Sequence, residues 1–265
     1  MRVADVHVHI YPEKISAKAA QSIGDFYHVR MADENGSVAC LQSRLDTCDI
    51  ERCVVHSVAV RPGTVTSIND FIASACCEHP QLVGFMTLHQ DTSDMAAEID
   101  RACELGLKGI KLHPDFQRVD MDDDRLMVAY EIAEKRGLPL IIHCGDYRYD
   151  YSHPSRLKRI LHEFPDLVVD AAHFGGWSVQ DYALEFLEDE RCFLDVSSSM
   201  RYLGPRRTRE LIESYGFDRI LFGSDFPMWT PAEELEFLRS LGFAEAELER
   251  MCWHNVERFL GMSLD

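Results

Sequence analysis

One strand–helix–strand unit stands between residues 107 and 144: LKGIKLH (107–113), DDRLMVAYEIAEKRG (123–137) and LPLIIHC (138–144). Apolar residues in the middle segment recur with helical spacing, and the segment ends at Gly137, a residue type common just after helices. Each flanking segment is short and apolar, as expected of a strand buried on both faces. The stretch therefore predicts two parallel strands joined by a helical crossover.

The same alternation of strand and helix runs along the chain. We predict eight strands, at 2–10, 52–58, 81–88, 107–113, 138–144, 167–173, 191–197 and 219–225. Helical segments between them include 67–79, 93–106 and 155–164, and Pro154 stands near the first turn of the last one, where proline is tolerated. Eight such units predict an α/β fold of the closed (β/α)₈ TIM-barrel type, with an open doubly wound sheet as the weaker alternative.

We expect a single domain over residues 1–265, since TIM barrels need roughly 250 residues. Residues 11–49 are more than one loop and one helix require, which predicts an insertion over the barrel mouth. After the eighth strand, 231–242 and 244–261 have the pattern of two closing C-terminal helices.

The composition indicates a soluble protein that binds neither nucleic acid nor a membrane surface. The net charge is −18, from 45 acidic and 27 basic residues, which argues against nucleic acid or an anionic membrane surface as a partner. Nine cysteines without a CxxC pair are typical of a reducing cytoplasm. We expect no membrane span, because no apolar run reaches roughly 18 residues, and no secretory signal, and hence a cytoplasmic location.

Polar residues gather where the predicted strands end, which is the end of a barrel that carries its chemistry. These strand-end residues are His7, His9, His56, His89, Lys111, His113, His143, His173, Asp195 and Asp225. Alternation along the first strand predicts that Asp5, His7 and His9 share one face. A divalent metal is the partner that would satisfy two such buried imidazoles together.

Four strand-end motifs in register carry a family resemblance. They are HVH (7–9), IIHCG (141–145), AHFGG (172–176) and FGSDFP (222–227). Together they resemble the amidohydrolase superfamily, and most nearly its amidohydrolase-related branch, which includes aminocarboxymuconate-semialdehyde decarboxylase. The resemblance covers almost the whole chain, and it also implies that a homodimer is one expected assembly.

The resemblance implies a metal centre. His7, His9 and Asp225 would hold one divalent cation, and His143 would complete the set. Zn²⁺ is the expected ion, because neutral imidazole and carboxylate are good ligands for it, and Mn²⁺ is an alternative.

Two further residues decide between one ion and two. In one-metal members of the superfamily the residue matching His173 is a general acid or base, whereas in two-metal members it binds the second ion. A fourth-strand lysine, here Lys111, is carbamylated in some members and bridges two metals. Lys111 could equally pair with a substrate carboxylate or an acidic neighbour, so both alternatives stay open.

The remaining strand-end residues are assigned to the pocket or its surroundings. His113 is a candidate hydrogen-bond partner of the substrate. His56, His89 and Asp195 lie outside the usual ligand set and are interpreted as supporting or pocket residues.

The implied chemistry is hydrolysis of an amide, a lactone or another ester by a metal-bound water. Such a water has a pKa near ~7, and Asp225 would accept its proton. The alternative is decarboxylation of a small unsaturated or aromatic acid, since decarboxylases of this branch hold the substrate carboxylate with arginine. Arg61, Arg148 and Arg201 lie in predicted rim loops and together suggest a small acidic substrate.

Three other functions are less favoured. A TatD-like nuclease would need a glutamate near the fourth strand, and the charge of −18 repels polyanions. A PHP-type phosphoesterase would need more histidines and carboxylates than residues 11–49 contain. An inactive metal-binding scaffold would lack one of the ligands, whereas this chain has the whole set.

Overall fold

The computed structural model describes residues 1–265, and it contains all eight predicted strands in order. Each observed strand lies within its predicted range: β1 (Ala4–His9), β2 (Arg52–His56), β3 (Leu82–Thr87), β4 (Gly109–Leu112), β5 (Leu140–Ile142), β6 (Val169–Ala171), β7 (Leu194–Asp195) and β8 (Ile220–Leu221).

The strands close into a barrel. β1 to β6 form one parallel sheet in chain order, and β7 pairs with β8. Asp170 bridges to Phe193, which joins β6 to the start of β7, and Val8 bridges to Phe226, which joins β1 to the end of β8. These bridges complete the ring, so the (β/α)₈ prediction is confirmed and the open sheet is excluded.

Twelve helices surround the barrel or lie on its ends. They are α1 (Glu13–Tyr27), α2 (Val38–Leu45), α3 (Val65–Glu78), α4 (Met95–Glu104), α5 (Pro114–Gln117), α6 (Asp124–Arg136), α7 (Pro154–Glu163), α8 (Gln180–Leu187), α9 (Met200–Tyr215), α10 (Pro231–Ser240), α11 (Glu245–Glu249) and α12 (Asn255–Leu260). A π-helical turn, Arg250–His254, connects the last two helices. None of the helices combines the length and apolar composition needed to cross a bilayer.

The two larger of three apolar cores hold the barrel together. The larger one lies between the strands and the surrounding helices. The smaller one contains residues such as Val6, Phe85 and Ile141 from the strands, packed against Trp253 and Phe259 of the C-terminal segment. The closing segment thus packs on apolar strand residues, and the polar side chains occupy the carboxyl ends of the strands.

The predicted orientation of Asp5 is wrong, because β1 contains a β-bulge. Asp5 pairs with Cys53 and Val8 pairs with Val55, so two residues of β1 oppose one residue of β2. The extra residue shifts the alternation of side chains between the two faces of β1. Val6, and not Asp5, packs in the smaller apolar core. The Asp5 carboxylate instead accepts the backbone N–H of His7 at 3.0 Å, and this hydrogen bond stabilises the bulge.

Residues 11–49 provide α1 and α2. Arg148, from the loop after β5, donates to the carbonyl of Phe26 at 2.6 Å and lies 4.6 Å over the Phe26 ring. The C-terminal end of α1 is therefore attached to the carboxyl end of the barrel.

Candidate metal centre

Three ligand-type side chains meet where β1 and β8 end. Oδ1 of Asp225 lies 3.4 Å from Nε2 of His9 and 3.6 Å from Nε2 of His7. Two ligands bonded to one cation at ~2.0–2.2 Å must lie within about 4.4 Å of each other, so both distances suit a shared ion. All three residues are buried.

The loop after β8 places Asp225 by local backbone contacts. Its N–H donates to the carbonyl of His7 at 2.8 Å, and its φ of 61° is in the left-handed region, which non-glycine residues rarely adopt. Ser198 donates to Oδ2 at 2.5 Å, which leaves Oδ1 directed at the histidines. Gly223 permits the close approach, because a Cβ there would lie 2.9 Å from the Cβ of His7.

The imidazoles of the site are neutral at pH 7. Burial lowers the pKa of His7 and His9 well below the ordinary value, and that of His173 to about 4. The same cause lowers the pKa of His56, His113 and His143. Neutral imidazole is the form that binds metals.

Lys111 lies against the same cluster. Its Nζ is 2.9 Å from Nε2 of His7, and the side chain is completely buried. Burial lowers the pKa of the amine to about 8, although the nearby carboxylates of Asp225 and Asp195 oppose the shift. The structure thus brings Lys111 to the candidate ligands His7 and Asp225 rather than to the rim.

A second group of histidines lies beside the first. Nε2 of His173 is 3.0 Å from Nδ1 of His143, and Nδ1 of His173 is 3.0 Å from the carbonyl of Ser197. The other ring nitrogen of His143 faces Asp115 at 3.4 Å. The His113 ring stacks on that of His143 with centroids 3.8 Å apart. His143 therefore uses its nitrogens on His173 and Asp115 rather than on Asp225.

A narrow cavity leads to this centre. Its volume of about 20 Å³ is enough for a single water molecule. Tyr27, at the end of α1, has its hydroxyl 2.9 Å from Nε2 of His113. The cavity is lined by His7, His9, Ile23, Tyr27, Met31, His113, Phe116, His143, His173, Trp177, Asp225, Pro227 and Met228.

The three candidate substrate arginines are not brought together, and none lines the cavity. Arg148 is paired with Asp146 at 2.6 Å, and Arg201 is paired with Glu234 at 2.5 Å. Arg61 is exposed and precedes a short 3₁₀ turn before α3. His113, the fourth substrate candidate, does line the cavity.

Two site residues were absent from the sequence-based set. Tyr27 belongs to the insertion, whose packing no periodicity reveals. Asp115 follows His113 by two residues, and its Oδ2 accepts a hydrogen bond from Ser152 at 2.6 Å. Asp115 could have been found from its position just after β4, whereas no sequence pattern indicated the role of Tyr27.

The donor set fits a divalent cation. The centre combines buried neutral imidazoles, which suit Zn²⁺, with a carboxylate, which also suits Mn²⁺. Neither ring nitrogen of His56, which lies beside His7 and His9, has a hydrogen-bond partner in the protein. Such orphaned buried atoms are expected where a ligand completes the site.

Known proteins share this architecture. A 5-carboxyvanillate decarboxylase from Novosphingobium aromaticivorans DSM 12444, complexed with manganese and 4-hydroxy-3-methoxy-5-nitrobenzoic acid, is 16% identical with a TM-score of 0.77, covering 98% of this chain and 96% of that chain. A 2,6-dihydroxybenzoate decarboxylase from Rhizobium is 18% identical with a TM-score of 0.73, covering 98% and 99%. A Pseudomonas putida protein described as a 2-pyrone-4,6-dicarboxylic acid hydrolase is 18% identical with a TM-score of 0.69, covering 98% and 97%.

At these identities the superpositions establish a shared fold. The family is established by sequence, because a family model described as amidohydrolase matches residues 4–262. That match spans nearly the whole chain and confirms the resemblance found in the strand-end motifs. The chain belongs to the amidohydrolase family of enzymes.

Proposed function

We propose that this chain is a divalent-cation-dependent hydrolase that cleaves an amide, lactone or other ester bond of a small molecule. The observation that carries the proposal is the position of Asp225, whose Oδ1 lies 3.4 Å and 3.6 Å from the Nε2 atoms of His9 and His7. We assign these three residues as ligands. His143, which lines the same cavity, is assigned as the fourth, and its Nε2 would exchange the 3.4 Å contact with Asp115 for the cation.

The cation, when bound, would polarise a substrate carbonyl and lower the pKa of a water molecule beside it. Asp225 is the proton acceptor in this proposal, because it lines the cavity and Ser198 donates to its Oδ2 only. His173 is the second proton carrier. The Ser197 carbonyl accepts from its Nδ1, so its Nε2 can exchange a proton with Nδ1 of His143 across 3.0 Å.

The size of the cavity supports the proposal that the substrate is small and that α1 moves to admit it. A volume of about 20 Å³ holds a water molecule but no organic substrate, and we propose that α1 with Tyr27 moves when the substrate binds. We propose on this basis that the insertion, residues 11–49, shapes the substrate pocket over the barrel mouth. The lining contains no arginine or lysine, so the carboxylate of an acidic substrate would be held by the cation.

Decarboxylation is the second candidate, and the aromatic lining favours it. Tyr27, Phe116 and Trp177 surround the cavity and could pack on an aromatic ring. One structural neighbour, a decarboxylase, is complexed with manganese and a substituted benzoic acid. An aromatic acid is therefore the substrate class to test for this second activity.

The test is metal analysis followed by assays on lactones, esters, amides and hydroxylated benzoic acids, with and without a chelator. We expect a bound divalent metal and a chelator-sensitive activity, with acid release identifying hydrolysis and CO₂ release identifying decarboxylation. His7→Asn should lose both metal and turnover. His89→Asn is the matched control. His89 follows β3 and lies outside the cavity, and its Nδ1 accepts the N–H of Asp91 at 3.1 Å. Unchanged metal content and turnover in His7→Asn would contradict the proposal.

A further inference from the structure

The last residue of β2 is a histidine that the proposed ligand set does not use. His56 pairs directly with His9 in the register of the two parallel strands. Its side chain is completely buried. The ring centroid lies 4.5 Å from that of His9 and 5.0 Å from that of His7, edge-on in both cases. Three imidazoles from two adjacent strands therefore form one cluster.

Neither ring nitrogen of His56 has a hydrogen-bond partner in the protein. An imidazole buried in this way loses its hydrogen bonds to water, and nothing in the chain replaces them. His89, which follows the neighbouring strand β3, differs, because its Nδ1 accepts a backbone N–H at 3.1 Å. His56 thus presents unsatisfied nitrogen atoms among the side chains assigned to the metal.

The geometry points to His56 as an additional imidazole ligand of the cation held by His7, His9 and Asp225. Ligand atoms of His7, His9 and His56 lie within 4.8 Å of one another. Bonds of ~2.0–2.1 Å to one cation would hold these atoms within about 4.2 Å of one another, so no pair would have to move closer by more than about 0.6 Å to reach that limit. The inference rests on the proposed function, since it concerns the same cation.

An added nitrogen ligand changes which metal the centre prefers. Imidazole-rich sets favour Zn²⁺, whereas oxygen ligands suit Mn²⁺. Removal of His56 should therefore weaken binding of Zn²⁺ more than binding of Mn²⁺. If His56 only fills space, an aromatic residue of similar size should replace it without any effect on either metal.

The variant that separates these roles is His56→Phe, which keeps an aromatic ring and removes both nitrogens. We expect metal-free His56→Phe to unfold in urea at the same or a higher denaturant concentration than wild type, because an unsatisfied polar group has been removed. We expect its Zn²⁺ affinity to fall by about a hundredfold or more, since even supporting residues cost 10–100-fold. His56→Gln, which retains polarity, should show the same loss and covers the case in which His56→Phe fails to fold.

The measurement is titration of metal-free protein with Zn²⁺ and with Mn²⁺ against a competing chelator. His89→Phe is the matched control and should keep the wild-type affinity within about threefold. Cu²⁺-loaded wild type and His56→Phe should also differ by one imidazole in pulsed electron paramagnetic resonance, a readout that needs no substrate.

Wild-type Zn²⁺ affinity in both His56 variants would overturn the inference. If His7→Asn abolishes binding while the His56 variants do not weaken it, the inference fails and the proposed function stands. If His7→Asn also binds Zn²⁺ as wild type does, the proposed function fails as well.

Discussion

Nδ1 of His7 lies 2.7 Å from Oδ2 of Asp195, although 188 residues separate them along the chain. The other carboxylate oxygen of Asp195 accepts the backbone N–H groups of His173 and Ser197 at 3.0 and 2.9 Å. An acceptor at this position keeps the proton of the His7 ring on Nδ1. Nε2 is therefore the nitrogen that carries the lone pair, and it faces both Asp225 and Lys111.

Asp195→Asn should weaken metal binding. If the amide oxygen of the variant faces the His7 ring, its NH₂ group faces the backbone N–H groups of His173 and Ser197, which are also donors. The His7 ring therefore loses the acceptor that fixes its tautomer. We expect the dissociation constant for Zn²⁺ to rise by about 10–100-fold, as for other carboxylate partners of metal-binding histidines. Titration against a chelator measures the change. Glu98→Gln, which removes a buried carboxylate outside the cavity, is the control, and an equal loss in both variants would contradict the role of Asp195.

Glu98 should stabilise the fold in a pH-dependent way. Its carboxylate accepts from Asn69 at 2.8 Å and from Arg101 at 2.7 Å, which links α3 to α4. Burial raises the pKa of Glu98, but these hydrogen bonds outweigh it, so the pKa lies below the ordinary value of 4.5. The stabilisation is therefore complete above that value and is lost as pH falls through the pKa of the folded protein.

Urea unfolding of Glu98→Gln checks this prediction. At pH 7 we expect the free energy of unfolding to fall by about 1–3 kcal/mol, since hydrogen bonds to charged groups are replaced by weaker ones. The difference from wild type should shrink when the pH is lowered below 4.5. A difference that stays constant between pH 7 and pH 4 would show that the charge of Glu98 is not responsible.

Lys111→Met tests whether the fourth-strand lysine is a ligand. Nζ of Lys111 is 2.9 Å from Nε2 of His7, so an unmodified ammonium competes with a cation for that nitrogen. We expect Lys111→Met, which keeps most of the volume, to bind one metal ion at least as tightly as wild type. Bicarbonate should not change the metal stoichiometry of wild type. Two ions per chain in bicarbonate, with loss of metal in Lys111→Met, would instead establish a carbamylated bridge.

Arg148→Ala should loosen the helix that covers the cavity. Arg148 donates to the carbonyl of Phe26 at 2.6 Å, and a hydrogen bond from a charged group contributes about 1.5–3 kcal/mol. We expect amide hydrogen exchange in α1 to accelerate by about tenfold or more. Arg156→Ala is the control, because Arg156 pairs with Asp120, Asp122 and Asp150 instead. Unchanged protection of α1 in Arg148→Ala would mean that other contacts hold the helix.

The barrel could be predicted because the sequence pattern that identifies each strand or helix lies within that element. Each strand is a short apolar run and each helix has its own periodicity, so every predicted strand contains the observed one. His7, His9 and Asp225 could be placed near each other because the carboxyl ends of parallel strands meet at one end of a barrel.

The errors arise where position depends on contacts distant in sequence. A β-bulge between Asp5 and Val8 inserts one residue into β1, and no alternation pattern reveals such an insertion. Arg61 precedes a short 3₁₀ turn, and Arg201 is in the first turn of α9 rather than in a loop. The packing of these segments, and not strand order, determines where the two side chains point. Tyr27 contacts His113 because α1 packs on the barrel. That packing depends on how two surfaces fit together, which no sequence motif indicates.

The most direct measurement of the central claim is an anomalous difference map from crystals soaked in Mn²⁺ or Zn²⁺. We predict a peak within about 2.3 Å of Nε2 of His7, Nε2 of His9 and Oδ1 of Asp225. The peak should be absent in crystals of His7→Asn. A map with no peak among these three atoms, or an equal peak in the variant, would contradict the account.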